Sequence, residues 1–431
     1  MDQLAVDTGF VQRKSKLNGS LFLDLLVFNS ESLKSQSLND LTVVLSNEHN
    51  VDITKQSLHD RFNTSAVTFL KSALQLLLRE RLDIDSFVLE LEGINRIMIK
   101  DSVCFQIDES LFDDYPGSGG GGSKASVRIQ FEYDLLTGSV NDISLNAFNE
   151  QDAKNSVATI ELINEGDLII RDLAYVGLEA LNGIIKRAAF YLCRLNPIVC
   201  VFEKRGGQFV KVDFVKIYKY MKKRNIQLLE KNVYLGNKEK HNTRLIIHLM
   251  PEEQVTERIR KARINNKKKG KSGLSGEYIA RAHLNLFITN TTVETVPREH
   301  VWKLYQLRWQ IELTFKIWKS ICDIEKVKKV NVHRLECYIY SKLVLILLGW
   351  RVVWKISQHL FCAERKAISF YKAFKTFVKV KITEARDVFL NQSGVCEFMR
   401  SFYVLSRKKH LLEKKRGKVT SLEILISLST D

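Results

Sequence analysis

Residues 301–320 read VWKLYQLRWQIELTFKIWKS, and the rest of the chain is best understood around this stretch. It contains no glycine or proline, and its residues are good or tolerable helix formers, so we predict one continuous helix of several turns. At about 100° per residue, four polar side chains fall on a stripe roughly 60° wide. These are Tyr305, Arg308, Glu312 and Lys319. A carboxylate between cations and a phenol, beside an apolar face, is unusual for a purely structural helix.

The helix alone leaves two interpretations of this stripe open. In the first, Arg308 and Glu312 form an i,i+4 ion pair on a solvated face. In the second, the stripe carries chemistry and Glu312 acts on a substrate. Exposed i,i+4 pairs are common, so the pattern by itself favours neither interpretation.

The overall charge points to a polyanionic partner. The 431 residues include 66 lysines and arginines against 49 aspartates and glutamates, a formal charge of +17. Nucleic acid is the commonest partner of such a chain. An acidic membrane surface is the alternative, but no basic amphipathic anchor dominates the sequence. The chain is long enough for two to four domains.

The cysteines and apolar segments favour a cytoplasmic protein without a membrane partner. Seven cysteines are scattered with no C-x-x-C pair and no histidines at zinc spacing, which is typical of reduced, buried thiols. The opening MDQLAVDTGF is neither basic nor apolar enough for a signal peptide. The most apolar run, 343–350, is too short to span a bilayer and is expected to be a buried helix.

Residues 1–92 are expected to form a helical DNA-binding domain, because no strand-like alternation occurs there. Ser37 can cap a helix over 38–45, and a turn leads into a second helix from about Lys55. Two short helices joined by a turn are typical of a helix-turn-helix. The first two turns of the second helix present Lys55, Gln56, His59, Asp60 and Arg61. An ordinary helical bundle fits the pattern equally well, and the basic charge favours DNA.

Residues 93–196 are expected to form the first part of an α/β core. Three strand-like segments are followed by helix, strand, helix and strand, which predicts a mixed sheet flanked by helices. Asp101 lies on the first strand. Asp172 lies at the C-terminal end of the fourth, where open α/β sheets place their ligands. The run GSGGGGS at 117–123 has the composition of an engineered flexible linker in place of a natural loop, so no function is assigned to it.

The remaining chain divides into three parts. Residues 197–290 are read as a β-rich insertion, 291–360 as the second part of the core with the central helix, and 361–431 as a basic helical region. The insertion contains a run of cations that would contact phosphates or remain solvated. These cations are Arg260, Lys261, Arg263, Lys267, Lys268, Lys269 and Lys271.

The candidate constellation is Asp101, Asp172 and Glu312. Two aspartates on neighbouring strands and a glutamate from a helix can hold two divalent ions, which favour oxygen ligands and promote in-line displacement at a phosphate. Arg308 and Lys319 are candidates for holding phosphates, and Tyr305 for a hydrogen bond to one. Taken singly, any aspartate is more often a turn or cap residue. Nearby alternatives are Asp108, Asp113, Asp114 and Asp167.

The run YQLRWQIELTFKIWK resembles the Tyr-Arg-Glu-Lys signature of DDE transposases of the IS-four type, relatives of the Tn-five and Tn-ten enzymes. All four signature positions are filled, and FITN upstream also fits. IMIKDS around Asp101 is similar to the segment of the first catalytic aspartate of that family, and IIRDLAYV around Asp172 to that of the second. Ala174 stands where the family often has glycine. The resemblance covers roughly residues 94–360.

The resemblance implies an RNase H-like fold, Mg²⁺ dependence with Mn²⁺ as a substitute, and catalysis and metal binding by Asp101, Asp172 and Glu312. It also implies binding of double-stranded DNA at terminal inverted repeats, a dimeric synaptic complex, excision through a hairpin and joining of 3′-ends to target DNA, in a bacterial cytoplasm near the nucleoid. Relatives receive a flipped base on aromatics of the insertion, for which the candidates here are Phe209, Phe214, Tyr218 and Phe287.

Two alternatives to an active transposase remain at this stage. One is a two-metal nuclease of the same fold that cuts DNA without strand transfer. The other is a DNA-binding regulator whose carboxylates are only structural.

Overall fold

The structure is a computed structural model that describes residues 1–13, 15–30, 32–79, 93–118, 122–175, 177–271, 273–391, 393–413 and 420–429. The last part of the predicted N-terminal domain, 80–92, and the middle of the glycine-rich run, 119–121, lie outside the described residues. By their internal contacts the described residues form two compact units. The first lies within 1–88, 102–150 and 310–419, and the second within 89–101, 151–309 and 420–431.

The protein is of the mixed α/β class. Its strands are β1 (Arg96–Gln106), β2 (Ser126–Asp134), β3 (Val140–Ala147), β4 (Asp167–Arg171), β5 (Phe190–Arg194), β6 (Val201–Arg205), β7 (Gln208–Lys211), β8 (Leu228–Leu235), β9 (His241–Leu249) and β10 (Leu284–Thr289). They form a ten-stranded sheet of order β3-β2-β1-β4-β5-β10-β9-β8-β6-β7. The β1–β4 and β4–β5 pairs are parallel, and β10 is antiparallel to both β5 and β9.

Helices make up most of the rest. They are α1 (Asp2–Asp7), α2 (Gly19–Val27), α3 (Leu38–His49), α4 (Lys55–Asp60), α5 (Thr64–Arg79), α6 (Asp152–Ala158), α7 (Leu178–Lys186), α8 (Phe214–Arg224), α9 (Glu252–Lys268), α10 (Gly276–Ala282), α11 (Arg298–Gln306), α12 (Trp309–Ser320), α13 (Val332–Glu364), α14 (Phe370–Lys379), α15 (Ile382–Asn391), α16 (Val395–Lys409) and α17 (Ser421–Ser429).

The first unit is built around the 33-residue helix α13. Helices α2, α5, α14 and α16 pack on it. Its Trp350 donates a hydrogen bond from Nε1 to the carbonyl of Gly138, 2.7 Å away in the turn between β2 and β3. Rings of β2 pack on the same tryptophan, with Tyr133 at 5.0 Å between centroids. Burial of such large aromatic faces is a main source of stability in a core of this kind.

Helix α13 is the one described helix long and apolar enough, by length and composition alone, to cross a membrane. Of the 18-residue window of α13 that meets this criterion, 89% is buried in the protein. The expectation of a buried helix at 343–350 is therefore confirmed, although the helix is much longer than that run.

The described chain contains the predicted alternation of strands and helices. After β1, β2 and β3 the chain continues as α6, β4, α7 and β5, so the predicted order is confirmed. The central strands β4 and β9 are almost wholly buried, and their apolar residues form a core with those of α7 and α8. Helix α17 packs against α11 in the second unit.

The N-terminal helices begin where the sequence predicts. Ser37 caps α3, with Asp40 completing a capping box, and α4 begins at Lys55 after its cap Thr54. Helix α4 is only six residues long, which is short for a helix that would lie along a groove of DNA.

The prediction of one continuous helix through 301–320 is wrong. Helix α11 ends at Gln306 and α12 begins at Trp309, so Arg308 lies in the break. The amides of Leu307 and Arg308 bond three residues back, to Leu304 and Tyr305, which is the tight ending of a helix. The Leu307 side chain is fully buried there. Tertiary packing overrides helix propensity, and the polar stripe is divided between two helices.

The insertion, predicted to be β-rich, also contains helices. Residues 214–224, whose valine and aromatic residues are strand-forming, are helix α8, and much of the basic run lies in helix α9. Asp213 caps α8 by accepting a hydrogen bond from the amide of Lys216. The buried residues Phe214, Ile217 and Met221 of this helix recur at helical spacing. That periodicity was present in the sequence beside the strand-forming valines and aromatics.

Candidate active site

Asp101 and Asp172 are brought together by the register of two parallel strands. The last registered pair of β1 and β4 is Lys100 with Arg171, and each aspartate follows directly. Adjacent strands lie about 4.8 Å apart, and residues in register point to the same face. The two carboxylates are therefore neighbours at the point where the pairing of β1 with β4 ends, and both residues are partly exposed. Two of the three predicted carboxylates lie side by side within the second unit.

Each aspartate has a hydrogen-bond donor from the end of α11 or the break that follows it. The guanidinium Nη1 of Arg308 lies 3.0 Å from Oδ2 of Asp101, and the hydroxyl of Tyr305 donates to Oδ1 of Asp172 over 3.2 Å. The Arg308 and Asp101 side chains are 14% and 22% exposed, so this ion pair is partly shielded from water. Charge-assisted bonds in such surroundings are stronger than those at an open surface.

Tyr305 is held for this role by its surroundings. Burial, and then the negative charge of Asp172, raise the pKa of its hydroxyl above the ordinary value. The hydroxyl therefore remains protonated and available as a donor at neutral pH. Its ring packs on Phe287 of β10 with 5.0 Å between centroids, which fixes the end of α11 against the sheet.

Two buried cations lie directly behind the aspartates. Lys100 and Arg171 are 0% and 2% exposed. Because successive residues of a strand face opposite sides, their side chains point away from the carboxylates. Lys100 donates from Nζ to Oγ1 of Thr159 at 2.9 Å, and Arg171 donates from Nη1 to Oγ of Ser156.

The sequence analysis missed these cations. The sequence signal that could have indicated them is a basic residue directly before the candidate aspartate in each of two apolar strands.

Glu312 and Lys319 belong to the first unit. Glu312 lies in the first turn of α12 and is partly exposed, beside the buried Ile311. Lys319, in the last turn, forms an ion pair with Glu325 at 3.4 Å, with both side chains 40% exposed. The side chains of Phe315 and Trp318 on the same helix are buried.

The N-terminal DNA-binding candidates differ in their surroundings. Lys55, Gln56 and His59 are exposed, and Gln56 donates to Asp60 at 2.8 Å. Arg61 instead packs inward, with its guanidinium 5.7 Å from the ring centroid of Phe10. Lys55 and His59 are therefore the more accessible members of this set.

The candidates on α9 are all exposed, but two of them are paired within the helix. Glu257 forms ion pairs with Arg260 at 2.6 Å and with Lys261 at 3.4 Å. The remaining exposed cations of the run are Arg263, Lys267, Lys268, Lys269 and Lys271, of which the last two follow the end of α9.

The aromatic candidates of the insertion separate by burial. Phe214 and Phe287 lie in the core, 3% and 0% exposed. Tyr218 stacks on His283 with 4.3 Å between centroids. Phe209 is 42% exposed on β7.

The donor set at the end of the β1–β4 pairing fits a hard divalent cation. Carboxylate oxygens are the ligands that Mg²⁺ prefers, and Asp101 and Asp172 supply them from a rigid pair of strands. Within the described part of the chain, no group of three or more His, Cys, Asp or Glu side chains is arranged to hold a metal ion. The second unit therefore contains two candidate carboxylate ligands, Asp101 and Asp172. Arg308 and Tyr305 donate hydrogen bonds to them.

Similarity to known proteins identifies the class of this chain. The family model described as Transposase DDE domain matches residues 77–348. The chain therefore belongs to the DDE transposase family, whose members use divalent metal ions and act on DNA.

Individual relatives are similar over nearly their whole length. The chain is 30% identical to the transposase for insertion sequence element IS231F of Bacillus thuringiensis subsp. israelensis, over 96% of this chain and 90% of that protein. It is 32% identical to the IS231C transposase of B. thuringiensis subsp. berliner, over the same shares of the two chains. It is 26% identical to the IS1151 transposase of Clostridium perfringens, over 99% and 93%. A solved synaptic complex of piggyBac transposase with hairpin DNA aligns with 96% of this chain and 82% of that one, at 8% identity and a TM-score of 0.44.

Proposed function

We propose that the protein is a cut-and-paste insertion-sequence transposase of the IS-four type. It binds the terminal inverted repeats of its own element, cleaves the ends through a hairpin intermediate and joins the 3′-ends to target DNA. One observation carries the proposal: Tyr305 and Arg308, two signature positions, hydrogen-bond the two aspartates that the sequence singles out. A purely structural ion-pair face would not select those two partners.

The proposed catalytic core has an RNase H-like fold. The sheet order β3-β2-β1-β4-β5, with β1, β4 and β5 parallel and β2 antiparallel to β3, supports this assignment. Asp101, Asp172 and Glu312 would hold the Mg²⁺ or Mn²⁺ ions. When bound, such ions activate the attacking oxygen and stabilise the leaving oxygen of a phosphodiester.

The protein's own groups orient this site. Tyr305 holds the Asp172 carboxylate in one orientation, and Arg308 neutralises Asp101 before DNA arrives. Arg308 is the proposed phosphate ligand, because a guanidinium presents its donors in a planar fork that suits phosphate oxygens. Lys319 binds flanking phosphates. Asp101, Asp172 and Glu312 are thus the proposed catalytic residues.

The proposed partners are double-stranded DNA and a second copy of the chain. Transposon ends and target are both duplexes, and a homodimer pairs two ends in the synaptic complex. The protein works in the bacterial cytoplasm at the nucleoid. DNA contacts are assigned to Lys55, Gln56, His59, Arg61 and the cations of α9. Phe209, as the exposed aromatic among the insertion candidates, is favoured for receiving a flipped base.

The decisive experiment removes one carboxylate at a time. Asp101→Asn, Asp172→Asn and Glu312→Gln are each expected to abolish Mg²⁺-dependent cleavage of a duplex carrying the element's own end, while binding of that duplex persists. Asp113→Asn changes an exposed aspartate outside the site and serves as the matched control. Unimpaired cleavage by Glu312→Gln would sink the proposal.

A joining assay separates the transposase from a simple nuclease. A nuclease of the same fold would cut the labelled end but leave no label in a supercoiled plasmid. A transposase transfers the 3′-end label to the plasmid. A DNA-binding regulator would do neither, and alanine at Asp101 would leave all of its activities intact.

A further inference from the structure

Helix α8 has one face in the core and one face in solvent. Phe214, Ile217 and Met221 are buried and belong to the apolar core of the second unit. Burial of this face holds the helix on the sheet, so the opposite face is presented on a fixed support. The residues of that opposite face therefore do not contribute to packing of the core.

The exposed face of α8 carries a basic stripe with a tyrosine within it. At about 100° per residue the stripe members fall within an arc of roughly 140°. We define the α8 stripe as Lys216, Lys219, Tyr220, Lys223 and Arg224. All five are exposed, with the Lys216 side chain at 86% and Tyr220 at 51%.

The stripe is almost free of compensating charge. Lys216 approaches Asp213 only to 3.8 Å. In the part of the chain that the structure describes, Lys219, Lys223 and Arg224 form no ion pair. This differs from α9, where Glu257 neutralises part of the basic run.

Such a helix carries an electrostatic cost. Its 11 residues include five cations and no acid. Lysines three or four residues apart repel each other by about 0.2–0.5 kcal/mol per pair in water. The Lys216–Asp213 and Lys222–Glu252 approaches, both at 3.8 Å, offset only part of this repulsion, and a polyanion at the surface would offset more of it.

We propose that the α8 stripe binds the phosphodiester backbone of double-stranded DNA. Lys216 and Lys223 are about 10 Å apart along the helix axis, and each DNA strand carries one phosphate about every 3.4 Å of the duplex axis, so a duplex beside the stripe presents phosphates to both ends of it. Lys219 lies between them, and Tyr220 packs against the sugars or bases at the edge of the contact. The sequence-independent backbone is the partner, since amino groups on flexible stems bind phosphates as point charges.

This surface extends the DNA contacts beyond the cations already assigned to α4 and α9. It rests on the proposed function only in taking DNA as the substrate. Its own measurement is equilibrium binding without a divalent ion, so it does not depend on cleavage.

The test is the salt dependence of binding by the full-length protein. The probe is a fluorescein-labelled duplex of about 40 base pairs and arbitrary sequence, which reports backbone contacts. Each phosphate contact contributes about 0.9 to the slope of log K against log salt. The triple variant Lys216→Gln, Lys219→Gln, Lys223→Gln is therefore expected to flatten the slope by about 2.7. Raising the salt from 50 to 200 mM should then reduce the affinity of the variant by a factor about 40 times smaller than the factor for the unchanged protein.

The matched control lies on α14. Lys372, Lys375 and Lys379 have the same i, i+3, i+7 spacing on an amphipathic helix of the first unit, where Lys372 also pairs with Glu413 at 2.7 Å. Changing these three to Gln removes the same charge and is expected to leave the slope within about 0.5 of the original value. Arginine at the three α8 positions is expected to preserve the slope.

The α8 proposal is overturned if its glutamine variant keeps the original slope, or if the α14 control loses as much. Loss of slope in the α8 variant alone supports it. If the carboxylate variants still cleaved DNA, the proposed catalytic function would fail, while this result would stand.

Discussion

The guanidinium of Arg308 lies 3.0 Å from the carboxylate of Asp101, the first of the proposed metal ligands. The Arg308 guanidinium thus contacts the same carboxylate that a bound metal ion would use as a ligand. Because Arg308 lies in the break between α11 and α12, its position depends on a local backbone feature rather than on a regular helix. If Asp101 binds the metal ion and Arg308 a DNA phosphate, as proposed, the two binding events are coupled through one side chain.

Removing this cation is expected to strengthen metal binding in the absence of DNA. Arg308→Gln frees the Asp101 carboxylate from a charged hydrogen bond worth about 1.5–3 kcal/mol. The affinity for Mn²⁺, measured by electron paramagnetic resonance of the free ion, should rise about tenfold. The control is Arg298→Gln, which removes an exposed arginine of α11 paired with Glu299. Unchanged or weaker Mn²⁺ binding by Arg308→Gln would contradict the coupling.

The hydroxyl of Tyr305 is expected to affect turnover but not DNA affinity. Tyr305→Phe keeps the ring packed on Phe287 and deletes only the bond to Asp172. A lost hydrogen bond to a charged group predicts about a tenfold slower single-turnover cleavage. The dissociation constant for end DNA should be unchanged in a gel-shift titration. An equal loss of binding would instead assign the hydroxyl to the DNA.

The turn between β2 and β3 requires glycine for two separable reasons. Gly138 has φ +72°, and a Cβ there would lie 2.2 Å from the Trp354 ring. Gly207 has φ +84° with open space around it. Gly138→Ala should therefore cost about 3 kcal/mol in the free energy of unfolding, against about 1 kcal/mol for Gly207→Ala. Chemical denaturation measures both, and similar costs would refute the steric contribution at Gly138.

Lys342 is expected to make stability depend on alkaline pH. Burial lowers the pKa of its amino group from 10.5 to about 8. Its Nζ donates to the carbonyls of Asp323 and Lys326. Between pH 8 and 10.5 the unfolded chain holds the proton more tightly than the folded one, so stability rises with pH by about 3 kcal/mol from this group.

The Lys342→Met variant should remove that rise. The comparison is the difference in unfolding free energy between pH 8 and 10.5, measured for the variant and for the unchanged protein. Lys326→Met, at a side chain 57% exposed, serves as the control and should retain the rise. An identical pH dependence for all three proteins would exclude the buried amine as its source.

Features with a local physical origin could be predicted from the sequence. Ser37 and Asp40 form a capping box at the start of α3. The motif spans only four residues, so it can be recognised from the local sequence. Asp101 and Asp172 fall on predicted strands because those strands are continuous apolar runs. The family signature added the prediction that these residues act together.

Features created by distant contacts could not be predicted. The helix breaks at Leu307, whose side chain is fully buried. Leucine is equally compatible with a continuous helix, so its identity does not predict the break. The pairing of Arg308 with Asp101 joins residues 207 positions apart. Helix α8 has both strand-forming residues and a helical period, and only packing distinguishes the two.

Helix α13 has a consequence for how the protein is made. A ribosome releases the chain from its N-terminus, so α2, α5, β2 and β3 emerge before residues 332–364. The longest described helix of the first unit therefore finds its packing partners α2 and α5 already synthesised. Translation that stopped before residue 332 would leave those partners with their apolar faces exposed. Abortive translation products are thus expected to be aggregation-prone and short-lived.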